Sequence, residues 1–341
     1  MQRLADNVLS HLKRAAEPAV SFWLNDADVP CKVQDHCDVI YSLCLLNRLD
    51  LIAPRALNRF ASLIPQLALP GWNSTASQPP TEALNVHNFA YLLGTLNILK
   101  RRGIGDLYPR IELKRKPDFD RLFFGNGLTP KYPAKFTHHA WRVSHWLGGV
   151  PSILLSLSKS VSVAADAAEK RLAPSIIAIN GRLNPKTGMI REYQSEFLQH
   201  AFRFAYQLRH DPDLGDLGGV AHILWVNWAM GIPYVASEQL AEASVKALAR
   251  RGRFLEGVPY CLDFDLLQIA RTATQAGGNA PALEAEASRY LADIEAFFAQ
   301  SDLGAYTLHK FPGALATYAE AQLVTQGPGA AIDIIKDAYW L

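Results

Sequence analysis

Six segments of this chain are apolar on nearly every side of the helix that their periodicity predicts. A helix that is apolar all round must be buried on both faces, so these segments constrain the fold more than any other feature. Stretches that alternate apolar and polar residues, as strands do, are scarce. The sequence therefore predicts an all-α protein with an interior layer of helices. The six segments are residues 35–48, 86–100, 143–158, 218–230, 262–275 and 313–325.

A second, more amphipathic kind of helix follows each buried segment. Apolar residues between Leu57 and Ile64 recur at the spacing of one helical face, with Pro54 near the predicted start. The outer segment of the second hairpin is less regular, because Pro109 interrupts it. Six hairpins of an inner and an outer helix fit the length, since 341 residues shared among twelve helices leave about 28 for each helix and its loop.

The domain organisation follows from the hairpins, which run on without a linker-like break. We expect a single domain over residues 1–341, with a short N-terminal helical extension at residues 1–24. The loops that lead into the inner helices are long, for example residues 181–217. If the hairpins close into a ring, these loops share the face where the inner helices begin. Long loops in a compact domain usually carry function, so we expect the site at that face.

Two loop motifs lie before or at the start of inner segments. Residues 184–190 have the sequence NPKTGMI, and residues 218–222 have the sequence GGVAH. Together with the six hairpins, these motifs resemble the (α/α)6 toroid, the six-hairpin glycosidase-like superfamily, over most of the chain. The resemblance implies a carbohydrate-active enzyme. The superfamily includes unsaturated glucuronyl hydrolases and other glycoside hydrolases, polysaccharide lyases and sugar epimerases, and the motifs assign no single family.

Polar side chains occupy the starts of the buried segments. Burying an unpaired His or Asp is costly, so their presence at most of the six starts indicates a shared funnel that binds a ligand. Each of them alone is also an ordinary helix cap or a hydrogen-bonded structural residue. They are Asp35, His36, Asp38, Asn85, His87, Asn88, Arg142, Ser144, His145, His222, Asp263, Asp265, His309 and Lys310.

Two carboxylates suit glycoside hydrolysis, which needs an acid and a base or nucleophile. Asp38 and Asp265 are the candidates for general acid/base catalysis. Asp263 lies two residues before Asp265, about 200° away on a helix, and is predicted to cap that helix. Hydrolysis of an oligosaccharide or of a uronic-acid-containing glycan is the first prediction, with His145 and His222 as catalytic helpers.

A polysaccharide lyase or a sugar epimerase is the alternative, because these enzymes move a proton with His or Tyr beside a group that neutralises a carboxylate. The remaining polar and aromatic residues of the funnel are predicted to bind the saccharide. Indole faces are included because they stack on sugar rings. The predicted substrate-binding residues are His36, His87, Asn88, Arg142, Trp146, Trp225 and Trp72.

Two further classes stay open. Residues 262–265, with the sequence LDFD, resemble part of the D-x-D-D acid motif of class II terpene cyclases, although Leu266 stands at its fourth position. A toroid can also be a non-catalytic glycan-binding module. No metal-ligand spacing such as H-E-x-x-H occurs, and we predict neither a metal nor a cofactor.

Charge and hydropathy argue against nucleic acid and a membrane as partners of this chain. The formal net charge of +2 argues against a dedicated nucleic-acid binder. The first residues lack the basic-then-apolar plan of a signal peptide. The longest uncharged run, Leu217 to Ser237, contains His222 and Pro233 and predicts a buried helix followed by a turn, not a membrane span. With four cysteines and no C-x-x-C pair, we predict a cytoplasmic protein of open oligomeric state.

Overall fold

The described part of the chain is all-α. The computed structural model describes residues 2–14, 17–64, 67–68, 82–83, 85–111, 118–124, 127–130, 140–160, 164–190, 212–250, 252–275 and 280–341. Its helices are α1 (Gln2–Arg14), α2 (Pro18–Asn25), α3 (Val33–Leu45), α4 (Pro54–Leu63), α5 (Val86–Arg101), α6 (Ala140–Ser158), α7 (Ala165–Asn180), α8 (Pro212–Met230), α9 (Ser237–Arg250), α10 (Cys261–Thr274), α11 (Ala280–Phe298), α12 (Lys310–Thr325) and α13 (Ile334–Ala338). Short 3-10 turns cover Leu49–Leu51 and Tyr108–Arg110, and a π turn covers Asp120–Phe124. The strands in these ranges are a two-residue parallel pair, β1 (Leu67–Ala68) and β2 (Glu82–Ala83).

The six segments predicted to be buried are the helices α3, α5, α6, α8, α10 and α12. Every residue of α5 from Phe89 to Leu99 is buried, and so is every residue of α12 from Phe311 to Leu323. These stretches exceed two turns, so the helices are covered on all sides, as their apolar composition requires. The prediction of an inner layer of helices is confirmed for these segments.

The buried helices contact one another in a cyclic order. Helix α3 contacts α5, α5 contacts α6, and α6 contacts α8. The order continues from α8 to α10 and from α10 to α12, and α12 contacts α3 again. Each inner helix therefore has an inner neighbour on both sides. Amphipathic helices cover the cycle from outside, with α7 against α6, α9 against α10 and α11 against α12.

The N-terminal region differs from the single short helix predicted for residues 1–24. It contains two helices, α1 and α2, and Pro18 is the first residue of α2. Proline lacks the N–H that a helix interior needs but is favoured in a first turn, which explains a new helix at this point. Helix α1 contacts α11, whereas α2 contacts α3 and α4. Helix α1 thus packs beside the outer helix of the fifth hairpin, and α2 packs beside both helices of the first.

The residues after α13 lie inside the cycle of helices. The hydroxyl of Tyr41 in α3 donates to the carbonyl of Trp340 at 2.6 Å, and the hydroxyl of Ser152 in α6 donates to the carbonyl of Tyr339 at 3.0 Å. The indole of Trp340 is fully buried, and its ring centre is 5.1 Å from that of Trp225 in α8. This segment therefore fills space that the inner helices enclose, a feature that the sequence analysis did not predict.

Asp333 anchors the start of α13. One of its carboxylate oxygens accepts hydrogen bonds from Arg271 of α10 at 3.0 Å and from the indole of Trp228 of α8 at 2.9 Å. Arg271 also pairs with the buried Glu320 of α12. Charged hydrogen bonds of this kind are strong when their partners are shielded from water. The inserted segment is therefore tied to the inner helices at both of its ends.

The uncharged run from Leu217 to Ser237 begins inside α8, which ends at Met230. A turn follows, with Gly231 at a φ of 70°. This confirms the prediction of a buried helix and a turn. Among the helices in the described ranges, none has the length and apolarity needed to cross a membrane.

Helices α6 and α8 approach each other closely at Gly148. A Cβ atom added to this glycine would lie 2.2 Å from the carbonyl oxygen of His222. That distance is far below van der Waals contact, so only glycine allows the two backbones to come this near. The contact also sets the position of His222 relative to His145, which precedes Gly148 by one turn.

We expect Gly148→Ala to lower the free energy of unfolding by about 1–3 kcal/mol, because the added methyl overpacks the contact between α6 and α8. Urea denaturation measures this difference. Gly252→Ala is the matched control, since a Cβ there meets no atom within 4 Å, and its effect should stay within about 0.5 kcal/mol. Equal effects of the two substitutions would contradict the close approach.

Candidate functional site

Asp38 and His309 form a hydrogen-bonded pair where the first and last inner helices begin. Asp38 Oδ1 lies 3.0 Å from His309 Nδ1, and the hydroxyl of Tyr91 donates to the same oxygen at 2.9 Å. Asp38 is fully buried, whereas 37% of the His309 side chain is exposed. The carboxylate therefore holds the Nδ1 side of the imidazole, and no hydrogen bond to Nε2 of His309 occurs among the described residues.

Burial and pairing together set the protonation of this group. Burial raises the pKa of Asp38 above 3.8, although the hydrogen bonds and charge of His309 and the bond from Tyr91 oppose the rise. Burial alone lowers the pKa of His309, but its hydrogen bond to Asp38 and the charge of Asp38 outweigh this effect and bring the pKa above 6.5. Two groups coupled this closely titrate as a pair. Burial raises the pKa of Tyr91 well above 10, so its phenol stays protonated and donates.

Three histidines from α5, α6 and α8 lie side by side next to this pair. The ring centre of His145 is 4.8 Å from that of His87 and 4.9 Å from that of His222. Burial, and then the charges of neighbouring histidines, lower the pKa of His87 and of His222 well below 6.5. Both are therefore neutral near pH 7 and bind by hydrogen bonds, not by charge.

The histidines and the pair make one continuous group of side chains. The rings of His87 and Tyr91 stack with 6.1 Å between their centres, and Tyr91 reaches Asp38 as described above. We call this group the polar cluster. His87, His145 and His309 keep part of their surface accessible, whereas Asp38, Tyr91 and His222 are buried. The polar cluster consists of Asp38, His87, Tyr91, His145, His222 and His309.

The start of α10 approaches the same place through Tyr260, whose ring centre is 5.9 Å from that of His309. Side chains near the starts of α3, α5, α6, α10 and α12 therefore meet, and His222 joins them from the middle of α8, which begins at Pro212. Across the residues described, no three His, Cys, Asp or Glu side chains are arranged to hold a metal ion.

Asp263 has a structural role at the start of α10. Its carboxylate accepts hydrogen bonds from the backbone N–H of Leu255 at 3.0 Å and of Tyr260 at 3.2 Å, and from the hydroxyl of Tyr290 at 2.7 Å. Burial raises its pKa to about 6. The sequence analysis predicted an N-cap at Asp263, whereas Tyr260 is the cap and Asp263 is the third helical residue. The carboxylate still secures the helix start, from the position that closes a capping box.

Asp265 lies in α10, fully buried, and neither of its carboxylate oxygens has a hydrogen-bond partner among the residues described. Burial, and then the charges of Glu256 and Asp263, raise its pKa well above 3.8. Gln268, one turn further along α10, is equally buried and equally unpartnered in that set of residues. No hydrogen bond or ion pair joins Asp265 to the polar cluster in the described part of the chain.

His36 does not belong to the polar cluster, although the sequence placed it among the predicted substrate-binding residues. Its ring packs against Phe22, Trp23 and Phe60, with ring centres 4.5, 5.8 and 5.2 Å away. The reason is helical geometry, since residues two apart diverge by about 200°. Asp38 faces the interior, so His36 faces the outer helices α2 and α4. Burial there lowers the pKa of His36 to about 4.

The predicted aromatic platform is only partly in place. Trp225 is 1% exposed and packs behind His222, with 4.7 Å between ring centres, so it supports the cluster and offers no accessible face. Trp146 is half-buried beside Phe123. Trp72 lies outside the described residues.

Two of the polar residues predicted to bind substrate, Asn88 and Arg142, have no observed contact with the polar cluster among the described residues. Asn88 is half-buried in the first turn of α5, where the side chain of Asn85 accepts a hydrogen bond from its backbone N–H at 2.8 Å. Arg142 is part of α6, but its side chain lies outside what the structure describes.

Three residues at the site have no catalytic or substrate-binding role in the predictions made from the sequence. His309, which directly precedes the sixth inner helix, is among the polar residues expected at the helix starts, but no role in the reaction was assigned to it. Tyr91 follows His87 by one helical turn, which places both on the same face. Trp340, whose indole N–H donates to Nδ1 of His87 at 3.1 Å, belongs to the inserted segment and no sequence pattern marks it.

No protein-family model matches this chain, and neither a curated protein nor a solved structure is significantly similar to it.

We expect Asp38→Asn to lower the pKa of His309, because burial then acts without the bond to a carboxylate. NMR titration of the imidazole carbons measures it. Asp35→Asn is the control, since Asp35 raises this pKa less than Asp38 does, and its effect should be smaller. The raised pKa also means that His309 stabilises the fold below about pH 6.5 and that this stability is lost as pH rises through its folded pKa. An unchanged titration in Asp38→Asn would refute the pairing.

We expect Asp265→Asn to become more stable relative to the wild type as pH rises from 4 to 8. Because the folded pKa of Asp265 is raised, the folded wild type binds more protons than the unfolded chain and loses stability over this range. The Asn side chain of the variant cannot ionise, so the variant does not lose stability in this way. Urea denaturation at several pH values measures the difference, with the exposed Asp50→Asn as control. A difference that does not vary with pH would show that Asp265 ionises freely.

Proposed function

We propose that this chain is an (α/α)6 toroid of the six-hairpin type and that the polar cluster is a saccharide-processing site at its open face. The cyclic order of contacts among the six inner helices supports the toroid. The meeting of side chains from the first two turns of α3, α5 and α6, from the residue before α12 and from the middle of α8 supports a site there. The single domain, the cytoplasmic location and the saccharide partner stay predictions.

The pair of Asp38 and His309 carries the proposal for the reaction. A histidine whose inner nitrogen is held by a buried carboxylate has a defined orientation and presents its other nitrogen as a base. The pKa of His309 lies above 6.5, which suits proton transfer near neutral pH. Of the two predicted catalytic carboxylates, Asp38 is fully buried behind this histidine. We therefore place proton transfer by His309, as in a lyase or epimerase, ahead of hydrolysis by a carboxylate.

The proposed step begins at the carbon beside the carboxylate of a uronic acid. Nε2 of His309 takes the proton from this carbon, and the electron pair forms a double bond as the neighbouring C–O bond breaks. The imidazolium returns the proton to the departing oxygen, which completes an elimination. In an epimerisation, no C–O bond breaks, and the carbon instead receives a proton from solvent water on its opposite face, while the imidazolium of His309 releases its proton to solvent. Neutral His87, next to the pair, suits hydrogen bonding to the substrate carboxylate, and His145 lies beside it.

Hydrolysis stays the second candidate because of Asp265. A carboxyl group whose pKa is raised by burial keeps its proton to a higher pH, and glycosidases use such a group as the general acid. The terpene cyclase-like alternative has less support, since Asp263 already accepts three hydrogen bonds that hold the start of α10. A non-catalytic glycan-binding toroid is an outcome that the experiment below separates.

The test is a panel of uronic-acid-containing oligosaccharides incubated with the intact protein. Elimination produces an unsaturated uronate with new ultraviolet absorbance, whereas hydrolysis produces reducing ends without that absorbance. Epimerisation in deuterated water incorporates deuterium at the inverted carbon, which NMR detects. Calorimetric binding without any of these products would support the glycan-binding module and contradict the proposed enzyme.

We expect His309→Gln to lower kcat by about 10²- to 10⁴-fold, the usual contribution of a general acid or base, and Asp38→Asn to lower it as well. Asp35→Asn, at the start of the same helix, is the control and should keep near wild-type turnover. Circular dichroism checks that each variant is folded. If Asp265→Asn abolishes turnover while His309→Gln does not, the hydrolytic candidate replaces the first one.

A further inference from the structure

Trp340 links the inserted segment to the polar cluster. Its indole Nε1 lies 3.1 Å from Nδ1 of His87 and donates to it. The ring is fully buried and is also packed 5.3 Å from the ring of His222. An indole nitrogen can only donate a hydrogen bond. Nδ1 of His87 must therefore be the acceptor in this contact.

The contact determines where the proton of His87 is. Nδ1 accepts the hydrogen bond and therefore carries no proton. Burial lowers the pKa of His87 well below 6.5, so near pH 7 the ring is neutral and carries a single proton. That proton must be on Nε2.

We infer that Trp340 is a positioning residue that holds His87 in its Nε2-protonated tautomer, so that His87 offers the candidate site a hydrogen-bond donor. The matching ligand group is an oxygen that accepts, such as the carboxylate of a uronic acid. This ligand class rests on the proposed function, whereas the tautomer does not.

Trp340 is held firmly enough to act in this way. Its carbonyl accepts the hydroxyl of Tyr41 at 2.6 Å, and the ring of Trp225 meets it edge-on at 85°. On the α6 side, a Cβ added to Gly149 would lie 3.6 Å from Cη2 of Trp340. With close neighbours on three helices, the indole has little freedom to turn away from His87.

The chain offers a matched control in Trp225. This indole belongs to the same buried group, but its N–H has no hydrogen-bond partner among the described residues. Trp225→Phe therefore removes the same ring volume as Trp340→Phe without removing a hydrogen bond to histidine. A difference between the two variants isolates the effect of the bond from the effect of packing.

The experiment is a two-bond proton–nitrogen NMR correlation of the 15N-histidine-labelled full chain at neutral pH, with His87 assigned through His87→Gln. We expect the wild type and Trp225→Phe to show His87 with its proton on Nε2. Trp340→Phe should show a mixture of tautomers. A wild-type His87 with its proton on Nδ1, or an unchanged tautomer in Trp340→Phe, would overturn the inference.

The wild-type spectrum tests the tautomer by itself, even if Trp340→Phe does not fold. If the protein turns over no saccharide but His87 shows the expected tautomer, the proposed function fails and the positioning role stands. If turnover is found, we expect Trp340→Phe to raise KM for a uronic-acid substrate several-fold more than Trp225→Phe does.

Discussion

The need to bury six helices on all sides is the constraint on which the rest of this structure depends. An apolar helix at the end of a row would expose one face to water, at a cost of roughly 25 cal/mol for each Å² of apolar surface. The contact between α12 and α3 removes any end of the row. A cycle of helices encloses a central space, and unfilled space in a protein interior also costs free energy. The segment with Tyr339 and Trp340 occupies part of that space, so its insertion follows from the same constraint.

Burial has a second consequence where the inner helices begin. Polar side chains at these positions lose water, and each must find a partner or stay neutral. The polar cluster contains both solutions, since Asp38 is paired with His309 and Tyr91 whereas His87 and His222 are neutral rings in contact with other rings. The perturbed pKa values are therefore produced by the architecture, and such values concentrate where proteins carry out chemistry.

The sequence predicted the helices better than it predicted the site. Helical periodicity is a property of neighbouring residues, so the inner helices could be located to within six residues at their starts and three at their ends. The same reasoning could not decide that Asp38 faces inward and His36 outward, because that depends on which side of α3 meets α5 and α12. Trp340 was beyond prediction for a stronger reason. Its partner His87 is 253 positions away in the sequence, and only the closed cycle of helices brings the two together.

The two histidines of the proposed reaction differ in chemistry because their buried partners differ. Asp38 accepts a hydrogen bond when it is ionised, so His309 keeps its proton on Nδ1 and presents Nε2 as a base. Trp340 donates, so His87 has its proton on Nε2 and acts as a donor. The same side chain thus supplies a base and a donor within one cluster. Proton transfer beside a carboxylate needs both a base and a hydrogen-bond donor. Asp38 and Trp340, which are buried behind the two histidines, determine which histidine has which role.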